Sequence, residues 1–362
     1  MTPTYRSRTP LTPSYCNRAP QTPLYRSRTP LAPIYRDRAP QTAAAIFFLI
    51  CIILLSSCDS DIIRDAIMPR ISGSGNAGQS TESGLIFTEK TPYNEHTFVV
   101  VNTISDIYAD ADRTSTRLTQ LLFDEPVQIP EPSDNWVRLN VDDRIGGWMR
   151  AECVDGDWTC VDRRRYIGRI IITDKEKQVY SSPRNGIIIR DVGMGTELFV
   201  VAKSDNVYQV ALPGNLTGWV SETGAFQLDV DEAIKRTNAD IFAQTISKFR
   251  GTTYLHGGIS FQGIDGAGML YISAKVNGVQ LPRDFDGQYA AGDIVEGGLD
   301  ELVIGDALFF SMSAQSGEVG DAGVYTGESQ FIHANQHTGK VQYEDIGDPY
   351  FQQRILGVRR YF

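Results

Sequence analysis

Two aspartates and a histidine in the last third of the chain, Asp265, Asp321 and His333, have side chains suited to proton transfer or metal ligation. Their setting raises a question. The stretch "GIDGAGMLY", Gly263 to Tyr271, lies between a glycine pair and a run that reads as a helix, and Gly266 beside Asp265 carries no side chain. Two carboxylates and an imidazole are acceptable ligands for zinc or manganese. Their spacing carries no metal signature, so neither a metal nor another cofactor is expected. His333 reads instead as hydrogen-bonded to Asp321, and His337, on a polar loop, as exposed. An aspartate of ordinary pKa, about 4, has little tendency to take a proton at neutral pH.

The five cysteines are Cys16, Cys51, Cys58, Cys153 and Cys160. Only the last two fall in the body of the chain, in "CVDGDWTC". A local disulfide and two half-buried thiols are both consistent with that spacing, which does not fix geometry. Two thiols with no histidine nearby do not make a zinc site.

The elements that must position these residues come in blocks. Residues 1–42 repeat a basic decapeptide, as in "TPTYRSRTPL", whose frequent prolines leave it disordered or upstream of the true start. Residues 43–58 contain 13 uninterrupted apolar residues, Ala43 to Leu55, too few for a comfortable membrane span and right for a signal-peptide core. They end in "LSSC", which resembles a lipobox and makes Cys58 the candidate lipid-bearing residue. Residues 59–95 read as a flexible linker. Residues 1–58 carry a net charge of +6 and the remainder −16, which argues against a nucleic-acid partner.

From Thr97 short β-branched and aromatic runs alternate with turn signals, predicting two small β-barrels over 96–163 and 164–228. Trp136 and Trp148 are expected on consecutive strands, packed into the core. The stretch "DVDEAIKRTNADIFAQTISKFRG" comes next, with Ile234, Ile241, Phe242, Ile246 and Phe249 near helical spacing and Gly251 as its cap. It opens a last domain over 229–362.

The run from Thr252 to Phe362, with "YLHGG", "GIDGAGMLY", "LPRDFDG", "GDALFF", "GDAGVY" and "FIHAN" in order, resembles the NlpC family of cell-wall cysteine peptidases. "IYADADRTSTRLTQLLFDEPVQI" and its continuation resemble a bacterial SH3 domain, and 164–228 a second. The resemblance implies an α+β protein, two small bacterial SH3-like β-barrels followed by a papain-like NlpC-type α+β domain. The arrangement is similar to the branch that cleaves γ-D-glutamyl bonds to a diamino acid. The family's thiolate sits at a helix N-terminus, which lowers its pKa, beside a histidine base. Here the matching positions are Gly266 and Asp321, and only the third member, His333, persists. Ser260 precedes the loop and does not replace the thiol. Asp284 matches the residue that holds the substrate's free amine; His256, Ala267 and Phe285 are the other expected substrate-facing positions, and Phe285 could fill the subsite.

Together these features imply a catalytically silent wall lipoprotein of the cell envelope, on the periplasmic or outer-membrane face. It would be lipid-anchored through Cys58 and would bind a peptidoglycan stem peptide or a wall-associated protein. A regulatory interaction protein with a blocked cleft is the alternative, and a peptidoglycan hydrolase with an unorthodox site a second.

Overall fold

The computed structural model describes residues 93–362. The decapeptide repeats, the apolar stretch with Cys58 and the linker up to residue 92 lie outside them. Three successive blocks of secondary structure make up the described chain, and the first two are almost entirely β.

The first β module pairs a three-stranded sheet, centred on Thr97–Val100, with a four-stranded one made from Arg117–Leu122, Ile104–Tyr108, Gly146–Arg150 and Trp136–Asn140 in that order. Alternation explains its core: Ile107, Val137, Leu139 and Met149 point inward and are almost fully buried. Trp136 and Trp148 lie on neighbouring strands with the opposite parity, and this corrects the expectation that they pack inside. Both are half-buried on the outer face, where Trp136 meets Tyr108 edge-on at 5.9 Å and carries the Arg150 guanidinium 5.1 Å from its ring.

Two free thiols, not a disulfide, occupy Cys153 and Cys160. They face different partners. The Cys153 Sγ accepts from the Asn102 amide at 3.2 Å, while the Cys160 thiol donates to Asp124 Oδ1 at 3.0 Å in a separate apolar cluster. Burial raises the Asp124 carboxyl to about 8 and pushes the Cys160 thiol well above the ordinary cysteine value.

The second β module is one seven-stranded antiparallel sheet running from Gly168–Ile172 to Ala225–Leu228, with its own core of Ile170, Val179, Val192, Val200 and Val210.

In the C-terminal domain a six-stranded antiparallel sheet packs against helices. The helices are α1 (Ala239–Ser247), α2 (Gly266–Val276), α3 (Phe285–Ala291) and α4 (Pro349–Gln352), and four of the strands are β1 (Ala307–Ser311), β2 (Val319–Gly327), β3 (Gln330–Asn335) and β4 (Lys340–Asp345). The segment 229–238 is not helical, because the helix starts where Asn238 accepts the Ile241 N–H at 2.9 Å and caps it. Ile234 packs on the core from the preceding extended segment instead. Gly251 adopts the left-handed conformation, at φ +80°, but it does not cap the helix, which ends at Ser247 with Lys248 as its C-cap.

Helix α2 is apolar nearly all round and buried along almost its whole length, as expected of a central helix. Phe242 and Ile246 of α1, Met269 and Ile272 of α2, and Phe309, Val324 and Ile332 of the sheet share one core. In a second cluster Phe310 and Phe331 pack with Phe351 of α4. The start of α2 is pressed so closely on the preceding loop that a Cβ on Gly268 would lie 2.1 Å from the Gly258 carbonyl. Only glycine fits there.

Candidate functional site

The N-terminus of α2 is an anion site that the protein has already filled. Asp265 caps the helix: its carboxylate accepts from the Gly268 N–H at 2.6 Å and the Gly257 N–H at 2.7 Å. The buried Arg283 guanidinium adds a third contact at 3.0 Å, and also donates to the Gly258 carbonyl and to Thr119 Oγ1 of the first β module. The donors that would stabilise a thiolate are thus partly committed to Asp265.

Gly266 is the first residue of α2. A Cβ built on it would stand 3.0 Å from Phe285 Cζ, 3.2 Å from the Ala322 carbonyl and 3.3 Å from Asp321 Oδ1. The volume a nucleophile would need is therefore bounded by an aromatic edge, a carbonyl and a carboxylate.

Asp321 on β2 and His333 on β3 come together because the two strands pair, with Gly323 opposite His333. The His333 Nδ1 lies 2.8 Å from Asp321 Oδ2. On the far side of the ring, Nε2 is 3.3 Å from the Asn335 amide and 3.9 Å from Glu344 Oε1 of β4. Burial alone would favour the neutral ring, but Asp321 and then Glu344 outweigh it and raise His333 to about 9. The two carboxylates thus favour the protonated ring, and Nδ1 is already committed to Asp321. A nitrogen so engaged is not a free general base.

Asp265 does not join this pair as a third ligand, being spent on Arg283 and the backbone. Among the described residues no group of three His, Cys, Asp or Glu is placed to hold a metal ion. Ser260 is buried in a small hairpin, its Oγ accepting from the Gln262 N–H. A cavity of about 220 Å³ exists elsewhere, between the β modules and Lys275, and none of Gly266, Asp321 or His333 lines it.

The remaining expected positions are distributed unevenly. Asp284 caps α3, accepting from the Gly287 N–H at 2.9 Å, and both of its oxygens also take hydrogen bonds from Arg144 of the first β module, at 2.6 and 2.7 Å. Burial pushes its carboxyl up, but Arg144 and the Gly287 N–H outweigh that and hold it below the ordinary value. Phe285, next in sequence, is the ring against Gly266. Ala267 is buried, its carbonyl held by the Gln288 amide, so it offers no surface to a ligand. His256 is exposed at the rim and contributes its carbonyl to Arg117 at 3.3 Å. Cys58 lies outside the described residues.

Several neighbours had no signal of their own in the sequence. Arg144, Arg117, Thr119 and Gln120 reach the site from a separate module, Gln120 by accepting the Ile259 N–H at 3.1 Å. Tyr254 is half-buried beside the same charges, and burial followed by Asp265 and Asp321 raises its phenol, so it stays protonated. Glu344 lay within a run of mixed polar residues. Arg283 could have been found, since it stands in the "LPR" that the resemblance retained.

Known proteins agree with this geometry at the level of fold and ancestry. Residues 251–360 match the NlpC/P60 family model. The chain is 26% identical over 252 residues to a gamma-D-glutamyl-L-lysine dipeptidyl-peptidase of Bacillus subtilis, covering 67% of this chain and 81% of that protein. It is 32% identical over 117 residues to the probable endopeptidase NlpC of Escherichia coli, covering 32% of this chain and 73% of that protein. A crystal structure of an NlpC/P60 family protein from Bacillus cereus superimposes with a TM-score of 0.66 at 20% identity, over 73% of this chain and 99% of that one, and so shares the fold. With a helix-start site of this form inside the matching domain, the chain belongs to the NlpC/P60 family.

Proposed function

We propose that this protein is a non-hydrolytic NlpC/P60 protein of the cell envelope, in which the peptidase scaffold serves binding and regulation. One observation carries the reading: at the first residue of α2 there is a glycine, and the space before it is taken by Phe285 and Asp321. Acyl transfer through a covalent intermediate needs a nucleophile with a free base beside it. Gly266 supplies no nucleophile, and His333 has its Nδ1 engaged by Asp321 with Glu344 on the far side of the ring.

The ring of Phe285 and the occupied carboxylate of Asp284 favour the blocked-cleft form of this reading over the resting capture of stem peptides. In it the two β modules act as bacterial SH3 domains that present the chain to the wall or to a wall-associated protein. A lipid on Cys58 holds it at the membrane. The names of its relatives, a gamma-D-glutamyl-L-lysine dipeptidyl-peptidase and a probable endopeptidase, support the cell-wall setting.

The test is direct. Purified muropeptides incubated with the protein should be recovered intact by mass spectrometry. Release of a diamino-acid fragment that disappears in His333→Ala would overturn the proposal.

A further inference from the structure

Arg144 sits in the turn joining Trp136–Asn140 to Gly146–Arg150 of the first β module. The turn is fixed in advance: Asp142 Oδ1 accepts the N–H groups of Arg144 and Ile145 at 2.8 and 2.7 Å. From it the guanidinium reaches across to the C-terminal domain and makes two parallel hydrogen bonds to Asp284 through Nε and Nη2. Such forked, charge-assisted pairs are the strong form of the interaction.

The contact lies beside a permanent one. Arg283 with Thr119 and Gln120 with the Ile259 N–H join the same two domains through buried groups. Arg144 and Asp284, by contrast, are 51% and 33% exposed, at a solvent-facing edge where an exchange of partners is accessible. Asp284 has both oxygens engaged and Phe285, its neighbour, covers Gly266. A cationic ligand group that needs this carboxylate must displace a cation already seated on it.

We propose that Arg144 determines the specificity of this cleft, as an internal guanidinium that withholds Asp284 from any peptide presenting a free ammonium group. This rests on the function proposed for the site, a cleft without hydrolysis that keeps its carboxylate. Arg144 is a positioning and competing residue, and its removal converts a closed cleft into an amine-selective one.

Calorimetric titration with L-Ala-γ-D-Glu-L-Lys, carrying either a free or an acetylated α-amine, tests it in the full chain. The wild type and Phe285→Ser are expected to show no preference between the two peptides. Arg144→Ala and Arg144→Gln, each combined with Phe285→Ser so that the ring does not mask the result, should prefer the free amine by about tenfold or more. The proposal fails if Phe285→Ser alone shows that preference, or if both combined variants, folded by near-ultraviolet circular dichroism, show none. Mass spectrometry of the same mixtures separates the two ideas. Cleavage by the wild type would sink the non-hydrolytic reading and leave the preference as measured.

Discussion

Placing a thiol at Gly266 is the sharpest probe of the site, because the structure predicts that a cysteine placed there alone will be a poor nucleophile. Its Cβ would stand 3.3 Å from Asp321 Oδ1, which puts the sulfur roughly 4 Å from a carboxylate. Two like charges at that distance repel by about 1 kcal/mol in water and about 4 kcal/mol at an effective dielectric near 20. Asp321 is 30% exposed and shares its charge with His333, so the lower half of that range applies. On the order of 1–2 kcal/mol raises the thiol by about one pKa unit. The helix start opposes this by about 0.3–1 kcal/mol, and Asp265 already occupies part of it. The balance leaves the Gly266→Cys thiol above its ordinary value of about 8.5, and mostly protonated at neutral pH. Thiolate ultraviolet absorbance, read as a difference from the wild type across a pH series, measures this without requiring access to the cleft. Adding Asp321→His should bring the pKa below the ordinary value, and a third change, Phe285→Ser, should then allow weak cleavage of the tripeptide. A Gly266→Cys thiol that titrates below about 8 with Asp321 intact would refute the electrostatic account.

Two further outcomes concern buried titrating groups. His333 is raised from about 6.5 unfolded to about 9 folded, so its stabilising contribution is complete below pH 6.5 and is lost as the pH climbs through 9; denaturant melts of the wild type should lose on the order of 3 kcal/mol over that window and those of His333→Gln should not. Asp124, neutral in the fold until about pH 8 and ionised from about 4 when unfolded, costs stability as pH rises between those values. Asp124→Asn, which suits the left-handed backbone at φ 64°, should therefore gain melting temperature relative to the wild type progressively from about pH 4 to about pH 8.

How far the sequence was readable depended on whether the relevant partner was near in sequence. Strand runs such as "NWVRLNV" carry their own alternation, and the helix start at Gly266 is marked by glycines before it and apolar residues after it, so these were legible. The face on which Trp136 and Trp148 lie was not, because large aromatics satisfy either face of a strand and parity is set by Val137, Leu139 and Met149 taking the core. The local helical signal in 229–250 was real but misplaced at its start, where Asn238 is a better cap than the acids upstream. The cysteines were ambiguous for the same reason as Arg144: their partners, Asn102, Asp124 and Asp284, lie 36 to 140 residues away. No periodicity reports such contacts. Asp321 with His333, 12 residues apart across one hairpin, was within reach.

The packing at the start of α2 bears on how a glycine is accommodated there. A side chain deleted from an otherwise unaltered site leaves a void and stranded charges, and each is destabilising: an unfilled space forfeits contacts, and an unpaired buried charge costs several kcal/mol. Around Gly266 the space is bounded and the charges are paired. Phe285 lies against Gly266, His333 is paired with Asp321, Asp265 with Arg283, and Asp284 with Arg144 from another module. Each of these carboxylates is answered from within the chain. These contacts require residues on both β2 and β3, on the loop before α3 and in a turn of the first β module, and they act together only if the domains stay docked as they are. A site whose charges are answered in this way holds its form without a ligand, which is what the proposed non-hydrolytic role requires of it.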